Sequence, residues 1–154
     1  MNEYDEDAQG MQLTEGFESC RLVSYLDAAG VPTIGWGHTG PDVHLGMVCT
    51  QAQADAWLEQ DKAAARQAIC SFVKVPLTRN EFDALEDFDF NVGRGNFAGS
   101  TLLRMINAGD FAGAAAQFER WDRVHGRVIA GLLRRRLAEE SLFNRPDIDD
   151  VPMV

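Results

Sequence analysis

The 154-residue sequence lacks any apolar run that approaches the roughly 20 residues needed for a bilayer-spanning helix. Its first ten residues, MNEYDEDAQG, are acidic and polar, so they predict neither a signal peptide nor a membrane anchor. Internal repeats and low-complexity linkers are also absent, and the length suits one domain with one substantial core. We therefore expect a soluble single-domain protein without a secretory signal.

Cysteine and histidine are scarce, with three residues of each. They are Cys20, Cys49, Cys70, His38, His44 and His125. The cysteines form no CxxC pair, and an odd number argues against a dedicated disulfide framework. The histidines are too scattered for a metal-ligand motif. We therefore expect reduced thiols, no metal site and no cofactor, with one cysteine pair still able to oxidise.

Positive charge is scarce as well, because 14 basic residues face 24 acidic ones for a net charge of −10. Residues 1–9 hold four acids and no base, and residues 144–154 hold three acids against Arg145, so these ends carry −4 and −2 of that charge. Such acidic, polar ends predict disordered tails over 1–9 and 144–154, flanking one domain over 10–143. The overall acidity excludes nucleic acid as a partner, because nucleic acid would repel the molecule.

Within the body of the chain, charges of opposite sign are segregated. Five acids lie within residues 81–89, and six arginines lie within residues 120–136 against the single acid Asp122. The ordinary interpretation of either run is a solvated helix face. The alternative is that the arginine-rich side approaches an anionic polymer.

Hydrophobic periodicity predicts helices throughout the second half of the chain. Capping boxes at Thr50–Gln53 and Thr78–Glu81 begin two of them, and Ser100 and Asp110 are candidate caps of two more. The segment VIAGLLRRRLAEESLF predicts the last helix. Gly93 is expected as a left-handed C-cap at the end of the second helix.

The first half of the chain has a different pattern. Residues 10–21 fit a short helix, whereas residues 24–45 alternate β-forming side chains with glycines, which is typical of a small, tightly turned antiparallel sheet. The expected fold class is α+β. A small antiparallel sheet lobe over about residues 22–48 would precede a mainly helical lobe over about residues 50–143, with a cleft between them.

Two acids and a threonine in this turn-rich segment are candidates for chemistry. Glu18 ends the first helix beside apolar side chains, so burial is expected to raise its pKa, whereas Asp27 lies in a wetter turn and is expected to stay ionised. Glycosidic bond cleavage requires such a pair, one carboxyl to donate a proton and one to remain anionic. Thr33, on the following strand, could hold a water molecule. The alternative is that both acids are ordinary surface charges.

The spacing E-x8-D-x5-T, realised as Glu18, Asp27 and Thr33 and continued by TIGWGHTG, resembles the phage-type lysozymes (endolysins) of glycoside hydrolase family 24. Three further segments are similar to that family and follow in the same order: FNVGRGNFAGSTLL, the pair Arg120–Trp121, and GLLRRRLAE. The resemblance covers about residues 10–143. It implies a lysozyme-like fold and a muramidase that hydrolyses the β-1,4 bond between N-acetylmuramic acid and N-acetylglucosamine of peptidoglycan, for host cell lysis by a phage or prophage.

The resemblance also implies roles for individual residues. Glu18 would be the general acid, Asp27 the carboxylate that assists the attacking water, and Thr33 its hydroxyl partner. Inversion of configuration is expected, with carboxyls about 6.5–9.5 Å apart. The matching substrate-binding positions are Gly37, Thr39, Phe90, Asn91 and Ser100. Phe90 could instead be a core residue and Ser100 only a helix cap, while His38 and the tryptophans Trp36, Trp57 and Trp121 are interpreted as structural.

The sequence departs from the family at Ser19, where glycine is common, and in lacking the apolar signal-arrest segment of some relatives. The protein is thus expected to be a monomer in the host cytoplasm that reaches the periplasm and cell wall through a phage-encoded holin. Lytic transglycosylase activity, a non-catalytic peptidoglycan-binding module, a purely structural helical protein and activity on chitin-like oligomers are the alternatives.

Overall fold

The computed structural model describes residues 2 and 4–147. The chain begins with helix α1, continues through a two-stranded sheet into a helical region, and ends on a long helix after a short hairpin. The elements are α1 Ala8–Phe17, β1 Arg21–Leu26, β2 Pro32–Gly35, α2 Gln51–Phe72, α3 Arg79–Val92, α4 Arg94–Ala98, α5 Thr101–Asn107, α6 Phe111–Ala115, a 3-10 turn at Phe118–Trp121, β3 Arg123–Val124, β4 Arg127–Val128 and α7 Ala130–Phe143. Within the described part of the chain, none of these helices is long and apolar enough to cross a bilayer. The α+β class is confirmed.

The sheet lobe is small and tightly turned. Strands β1 and β2 pair in antiparallel fashion, with Tyr25 opposite Thr33, and an isolated bridge joins Val23 to Val48. Its core of four buried residues packs on the start of α2: Ile34, Val43, Cys49 and Ala54. Because so little apolar surface is buried there, this lobe depends on α2 for its stability.

The helical lobe holds the main hydrophobic core. Phe88 on α3 lies at its centre and makes edge-on ring contacts with Phe97, Phe118 and Trp121. The helix starts follow the sequence signals: capping boxes form at Thr50 and Thr78, and the Ser100 and Asp110 side chains cap α5 and α6. These capping predictions are confirmed.

Two local features differ from expectation. Gly93 adopts φ 91° and ψ 152°, which is outside the left-handed helical region, and it links α3 directly to the unpredicted short helix α4. Residues 123–128 form a β-hairpin that was not predicted, with His125 at φ 49° and Gly126 at φ 77° in its two-residue turn. Two positive φ angles in succession match the right-handed twist of a tight hairpin.

The prediction of solvated charged faces is wrong for α3 and for part of α7. Four of the five acids in residues 81–89 are buried: Asp83, Glu86, Asp87 and Asp89. On α7, Arg135 and Arg136 are buried with Glu139, and Arg135 pairs with Asp87. One ion pair, Arg135 with Asp87, therefore joins the two segregated runs where α3 packs against α7. Burial raises the pKa of Glu86 and of Asp89 to about 7, because the nearby cations offset it only in part.

Within the expected disordered tail over residues 1–9, several of the described residues (2 and 4–9) contact the helical lobe. The Asn2 side chain is 3% exposed, donates to Val75 O at 2.8 Å and accepts from Leu77 N at 2.9 Å. Glu6 pairs with Arg66 at 2.5 Å. The Asn2 amide thus binds backbone atoms of the helical lobe and the Glu6 carboxylate binds a base there, which composition alone did not reveal.

The start of the expected C-terminal tail is ordered too. Asp147 accepts hydrogen bonds from the backbone N–H groups of Arg79 and Asn80, at 2.7 Å and 3.1 Å. A carboxylate at the first turn of α3 satisfies free N–H groups and complements the helix dipole. Residues 148–154 of that prediction lie outside the described residues.

Candidate active site

A cleft of about 930 Å³ runs between the sheet lobe and the helical lobe. Seven of the eight predicted site residues line it: Glu18, Asp27, Thr33, Gly37, Thr39, Phe90 and Asn91. The first five come from the end of α1 and from the sheet lobe, and the last two from the end of α3. The fold thus brings together side chains that lie up to 73 residues apart in the sequence, from Glu18 to Asn91.

Glu18 is held at the C-terminus of α1. Its backbone N–H donates to Thr14 O at 2.9 Å, and its extended conformation turns the chain out of the helix. The side chain is 16% exposed, and its Oε1 accepts from Nη1 of Arg135 at 2.6 Å. The setting differs from the apolar cover expected from sequence, because a buried guanidinium lies directly beside the carboxylate. Glu18 is therefore fixed by an ion pair.

Gly37 lies against the opposite side of the same carboxylate. Its φ is +81°, and a Cβ built on it would lie 2.6 Å from Oε2 of Glu18. No side chain larger than hydrogen fits there unless Glu18 moves. Gly37 thus helps to position Glu18 because it has no side chain. Its positive φ is a second reason for glycine at this position.

Asp27 is fixed by the turn that joins β1 to β2. The N–H groups of Ala29 and Val31 donate to its Oδ1 at 2.9 Å and 2.8 Å. Among the described residues, both side-chain hydrogen bonds go to Oδ1, so Oδ2 carries no protein donor. The carboxylate is half-buried at the edge of the cleft, where one oxygen fixes the turn and the other can accept from a ligand or a water.

Thr33 lies on β2 and is 3% exposed. Its hydroxyl donates to Val31 O at 2.9 Å, in the same turn that Asp27 closes. Since its proton is used in that bond, the oxygen can only accept a hydrogen bond from a molecule in the cleft. Thr33 and Asp27 are therefore two acceptors on one wall.

The opposite wall carries both apolar and arginine side chains. Phe90 and Trp121 line it, and Trp121, which was interpreted as structural, both lines the cleft and packs against Phe88. Asn91 accepts from Nη2 of Arg136 at 2.9 Å through its Oδ1, which leaves its amide N–H groups for a ligand. An apolar face with a few amide donors suits a sugar ring that carries N-acetyl groups.

Ser100 does not line the cleft. It is 2% exposed, its hydroxyl donates to Phe97 O at 2.7 Å, and it accepts from Leu103 N at 3.0 Å. Both hydrogen-bonding functions of the side chain are used at the start of α5. The structure therefore corrects the prediction that Ser100 binds substrate, since the residue is a buried helix cap.

Sequence reasoning missed Arg135 as a site residue. Its Nε and Nη2 donate to the two oxygens of Asp87 at 2.9 Å and 2.8 Å, while Nη1 reaches Glu18. Burial alone would lower the pKa of Arg135, but the two carboxylates raise it above its usual range. Burial alone would likewise raise the pKa of Asp87, but the Arg135 charge holds it well below its usual range. The opposite charge runs on α3 and α7 were the signal that could have revealed this pair.

His38 has a structural position, as interpreted from sequence. Its ring stacks on Trp57 at 4.7 Å, Nδ1 lies 2.7 Å from Asp61, and Nε2 lies 3.0 Å from Asp42. Burial works to lower the pKa of His38, but the two carboxylates outweigh it and raise the pKa above 6.5. The residue therefore joins the sheet lobe to α2 instead of facing the cleft.

A cleft between two lobes, with two carboxyl groups and a hydroxyl on one side and an apolar, amide-bearing wall on the other, defines a lysozyme-like glycoside hydrolase. Comparison with known proteins agrees with this class. The phage lysozyme family matches residues 15–139 of the chain. An endolysin of Acyrthosiphon pisum secondary endosymbiont phage 1 is 41% identical over 139 residues, which cover 88% of this chain and 94% of that protein.

Solved structures give the same result. The muramidase domain of SpmX from Asticaccaulis excentricus superposes with a TM-score of 0.81 at 36% identity, covering 94% of this chain and all of that one, 100%. A P22 lysozyme mutant superposes with a TM-score of 0.73 at 37% identity, covering 92% of this chain and 99% of that one. The chain belongs to the phage lysozyme family, glycoside hydrolase family 24. It is a hydrolase of the endolysin type, which degrades peptidoglycan in phage-induced host lysis.

Proposed function

We propose that the cleft hydrolyses the β-1,4 bond between N-acetylmuramic acid and N-acetylglucosamine, with Glu18 as general acid and with Asp27 and Thr33 directing the water. The observation that carries this proposal is that Glu18, Asp27 and Thr33 line one cleft. If any of the three lay on the solvated surface instead, the residues that this reaction requires would not share one site.

Glu18 is arranged to deliver a proton from one oxygen. Arg135 holds Oε1, so Oε2, on the side of Gly37, is the atom that can carry the proton toward the glycosidic oxygen. Cleavage of the bond leaves a sugar with oxocarbenium-like character, and the Glu18 carboxylate that results is stabilised by Arg135.

Asp27 and Thr33 act on the nucleophile. A water that donates one hydrogen bond to Oδ2 of Asp27 and another to Oγ1 of Thr33 has a lone pair free to attack the anomeric carbon, and its proton passes to Oδ2 of Asp27 as the new C–O bond forms. Neither residue is needed as a covalent nucleophile. Attack by such a water predicts inversion of configuration at the anomeric carbon.

The glycan is proposed to lie along the cleft between two unlike walls. Phe90 and Trp121 offer apolar surface to the sugar faces, while Asn91 and Thr39 offer hydrogen bonds to the N-acetyl and hydroxyl groups. Gly37 lets the sugar chain approach the sheet backbone closely. The enzyme is proposed to act as a monomer that reaches the wall from the host cytoplasm through a holin.

Glu18→Gln tests the proposal most directly. We expect the rate of lysis of outer-membrane-permeabilised cells to fall by at least about 10²-fold, because the amide cannot donate a proton to the leaving oxygen. Glu15→Gln is the matched control, since Glu15 is exposed on the same helix. Equal rates for wild type and Glu18→Gln would remove Glu18 from the mechanism. Products with 1,6-anhydro ends instead of reducing ends would show transglycosylation in place of hydrolysis.

A further inference from the structure

A buried arginine, Arg136, holds the Asn91 side chain at the cleft. The Arg136 side chain is 0% exposed, and its Nη2 donates to Oδ1 of Asn91 at 2.9 Å and to Oε1 of Glu139 at 2.8 Å. These two bonds use both hydrogens of Nη2. Among the described residues, Nε and Nη1 are buried without a hydrogen-bond partner. The direct hydrogen bonds of Arg136 therefore all come from one nitrogen, which links Asn91 to Glu139.

The chemistry of arginine decides which end of the Asn91 amide faces away from Arg136. A guanidinium only donates hydrogen bonds, so the amide oxygen must face Arg136 and the amide nitrogen must point elsewhere. Asn91 lines the cleft, and within the described part of the chain the bond from Arg136 is the only hydrogen bond of its side chain. No other described contact therefore fixes the orientation of this amide.

The buried charge of Arg136 is not explained by packing. Its guanidinium carbon lies 5.1 Å from the centre of the Phe88 ring, where an apolar side chain would pack without losing hydration. Glu139 compensates it poorly, because burial raises the pKa of Glu139 well above its usual range and a hydrogen bond to Asp87 raises it further, although Arg136 works to lower it. These effects favour the neutral form of Glu139. Arg136 is thus buried beside a neutral acid, which indicates a role other than an ion pair.

We propose that Arg136 is a positioning residue for substrate binding, which turns Asn91 so that its amide offers only N–H donors to the glycan. The inference rests on the proposed function, because it requires a peptidoglycan strand in the cleft. A guanidinium on the amide oxygen also polarises the amide and strengthens donation from Nδ2. The matching acceptor is the carbonyl oxygen of an N-acetyl group. A de-N-acetylated sugar carries an ammonium there, which only donates, so the cleft discriminates against it.

The test compares two substrates that differ only in N-acetylation. Uncrosslinked peptidoglycan strands are used either intact or after treatment with a peptidoglycan deacetylase, and the readout is the ratio of kcat/KM on intact strands to kcat/KM on deacetylated strands. Wild type is expected to show a ratio of at least about ten. Arg136→Met and Asn91→Ala are each expected to lower that ratio by at least about threefold. The double variant is expected to match Asn91→Ala within about twofold, because Arg136 acts through Asn91.

Arg104→Met is the matched control, since it removes the same charge from an exposed position on α5 outside the cleft, and its ratio should equal that of wild type. A purely structural role for Arg136 would slow both substrates equally and leave the ratio of Arg136→Met unchanged, which would overturn the proposal. A wild-type ratio of one would do the same. Failure of wild type to cleave either substrate would instead overturn the proposed function.

Asn91→Asp decides the matter if Arg136→Met does not fold. A carboxylate at residue 91 still accepts from Nη2 of Arg136 but has no N–H to offer the glycan. Its ratio is expected to fall to that of Asn91→Ala, while its melting temperature stays at or above that of wild type because a charged partner now faces Arg136. A wild-type ratio or a lower melting temperature in Asn91→Asp would overturn the proposal.

Discussion

At the scale of single residues, Gly37 is the position where backbone geometry bears most directly on catalysis. A Cβ at residue 37 would lie 2.6 Å from Oε2 of Glu18, and the side chain of Glu18 is the part that would move. We expect Gly37→Ala to reduce kcat by roughly 10²-fold, because displacement of a catalytic group by about 1 Å has effects of that size. The rate of turnover of purified glycan strands measures this reduction in kcat.

Gly109→Ala is the matched control for backbone strain. Gly109 has φ +80°, nearly the same as Gly37, but nothing lies within 4 Å of its built Cβ. Both substitutions are expected to cost roughly 1 kcal/mol of unfolding free energy, and only Gly37→Ala should lose activity. Comparable activity in the two variants would mean that the contact with Glu18 has no catalytic importance.

Ser19 shows why a departure from the family pattern can be harmless. The non-glycine residues with positive φ in the described chain are limited to His125, so Ser19 is in a conformation open to any residue. Its side chain is exposed next to Glu18. Glycine is not required there for backbone reasons, and serine is accommodated.

At the scale of elements, the packing of α3 against α7 depends on buried charge. Arg135 neutralises Asp87, which is 0% exposed, with two hydrogen bonds, and Asp87 also accepts from Thr14 at 2.8 Å. Thr14 in turn accepts from the buried Lys62 at 2.8 Å. These bonds tie α1, α2, α3 and α7 together beneath Glu18.

Arg135→Met is therefore expected to destabilise the protein by about 3–5 kcal/mol, because it leaves Asp87 charged and unpaired in the interior. Urea unfolding followed by circular dichroism measures this loss of stability. Arg134→Met, at the exposed neighbouring position, is the control and should stay within about 0.5 kcal/mol of wild type. Replacing both partners, as Asp87→Leu with Arg135→Met, should recover most of the loss. A loss below about 1 kcal/mol in Arg135→Met would contradict this account.

The N-terminal segment is the other element whose role was not foreseen. Asn2 bridges Val75 O and Leu77 N, and the Tyr4 hydroxyl donates to Leu77 O at 3.1 Å. We expect Asn2→Ala to cost about 1–3 kcal/mol, since it leaves a buried N–H and a half-buried carbonyl without partners. Thermal unfolding checks this, with Asp5→Ala as the exposed control. A melting temperature equal to that of wild type for Asn2→Ala would indicate that the segment behaves as a tail.

At the scale of the whole molecule, periodicity, caps and glycine placement predicted both lobes, because these signals are local. The helix starts at Thr50, Thr78 and Ser100 each depend on side chains within three residues. That Glu18, Asp27 and Thr33 lie together at one cleft could also be predicted, since they lie within one short segment. Long-range partners could not be predicted from the sequence. The Arg135 contact with Glu18 spans 117 residues, and nothing local distinguishes a buried Asp87 from a solvated one.

Contact between the lobes makes stability depend on pH through His38. Asp42 and Asp61 raise its pKa above 6.5, although burial opposes them. The two carboxylates respond differently: the hydrogen bond from His38 lowers the pKa of Asp42, whereas burial outweighs that bond and raises the pKa of Asp61. A raised pKa means that the folded state binds the His38 proton more tightly than the unfolded state does. The resulting stabilisation is therefore fully present at pH values below 6.5. It is lost as the pH rises through the folded-state pKa.

We therefore expect the free energy of unfolding of wild type to exceed that of His38→Gln most at about pH 5.5, where the ring is charged in both states. The difference should shrink steadily as the pH rises above 6.5, by about 1.4 kcal/mol for each unit of the original pKa shift. Urea unfolding at half-unit steps of pH measures this. His44→Gln, at an exposed histidine of the same lobe, is the control and should follow wild type throughout. A difference between wild type and His38→Gln that stays constant with pH would show that His38 stabilises the lobe contact by stacking on Trp57 alone, since that contact does not require charge.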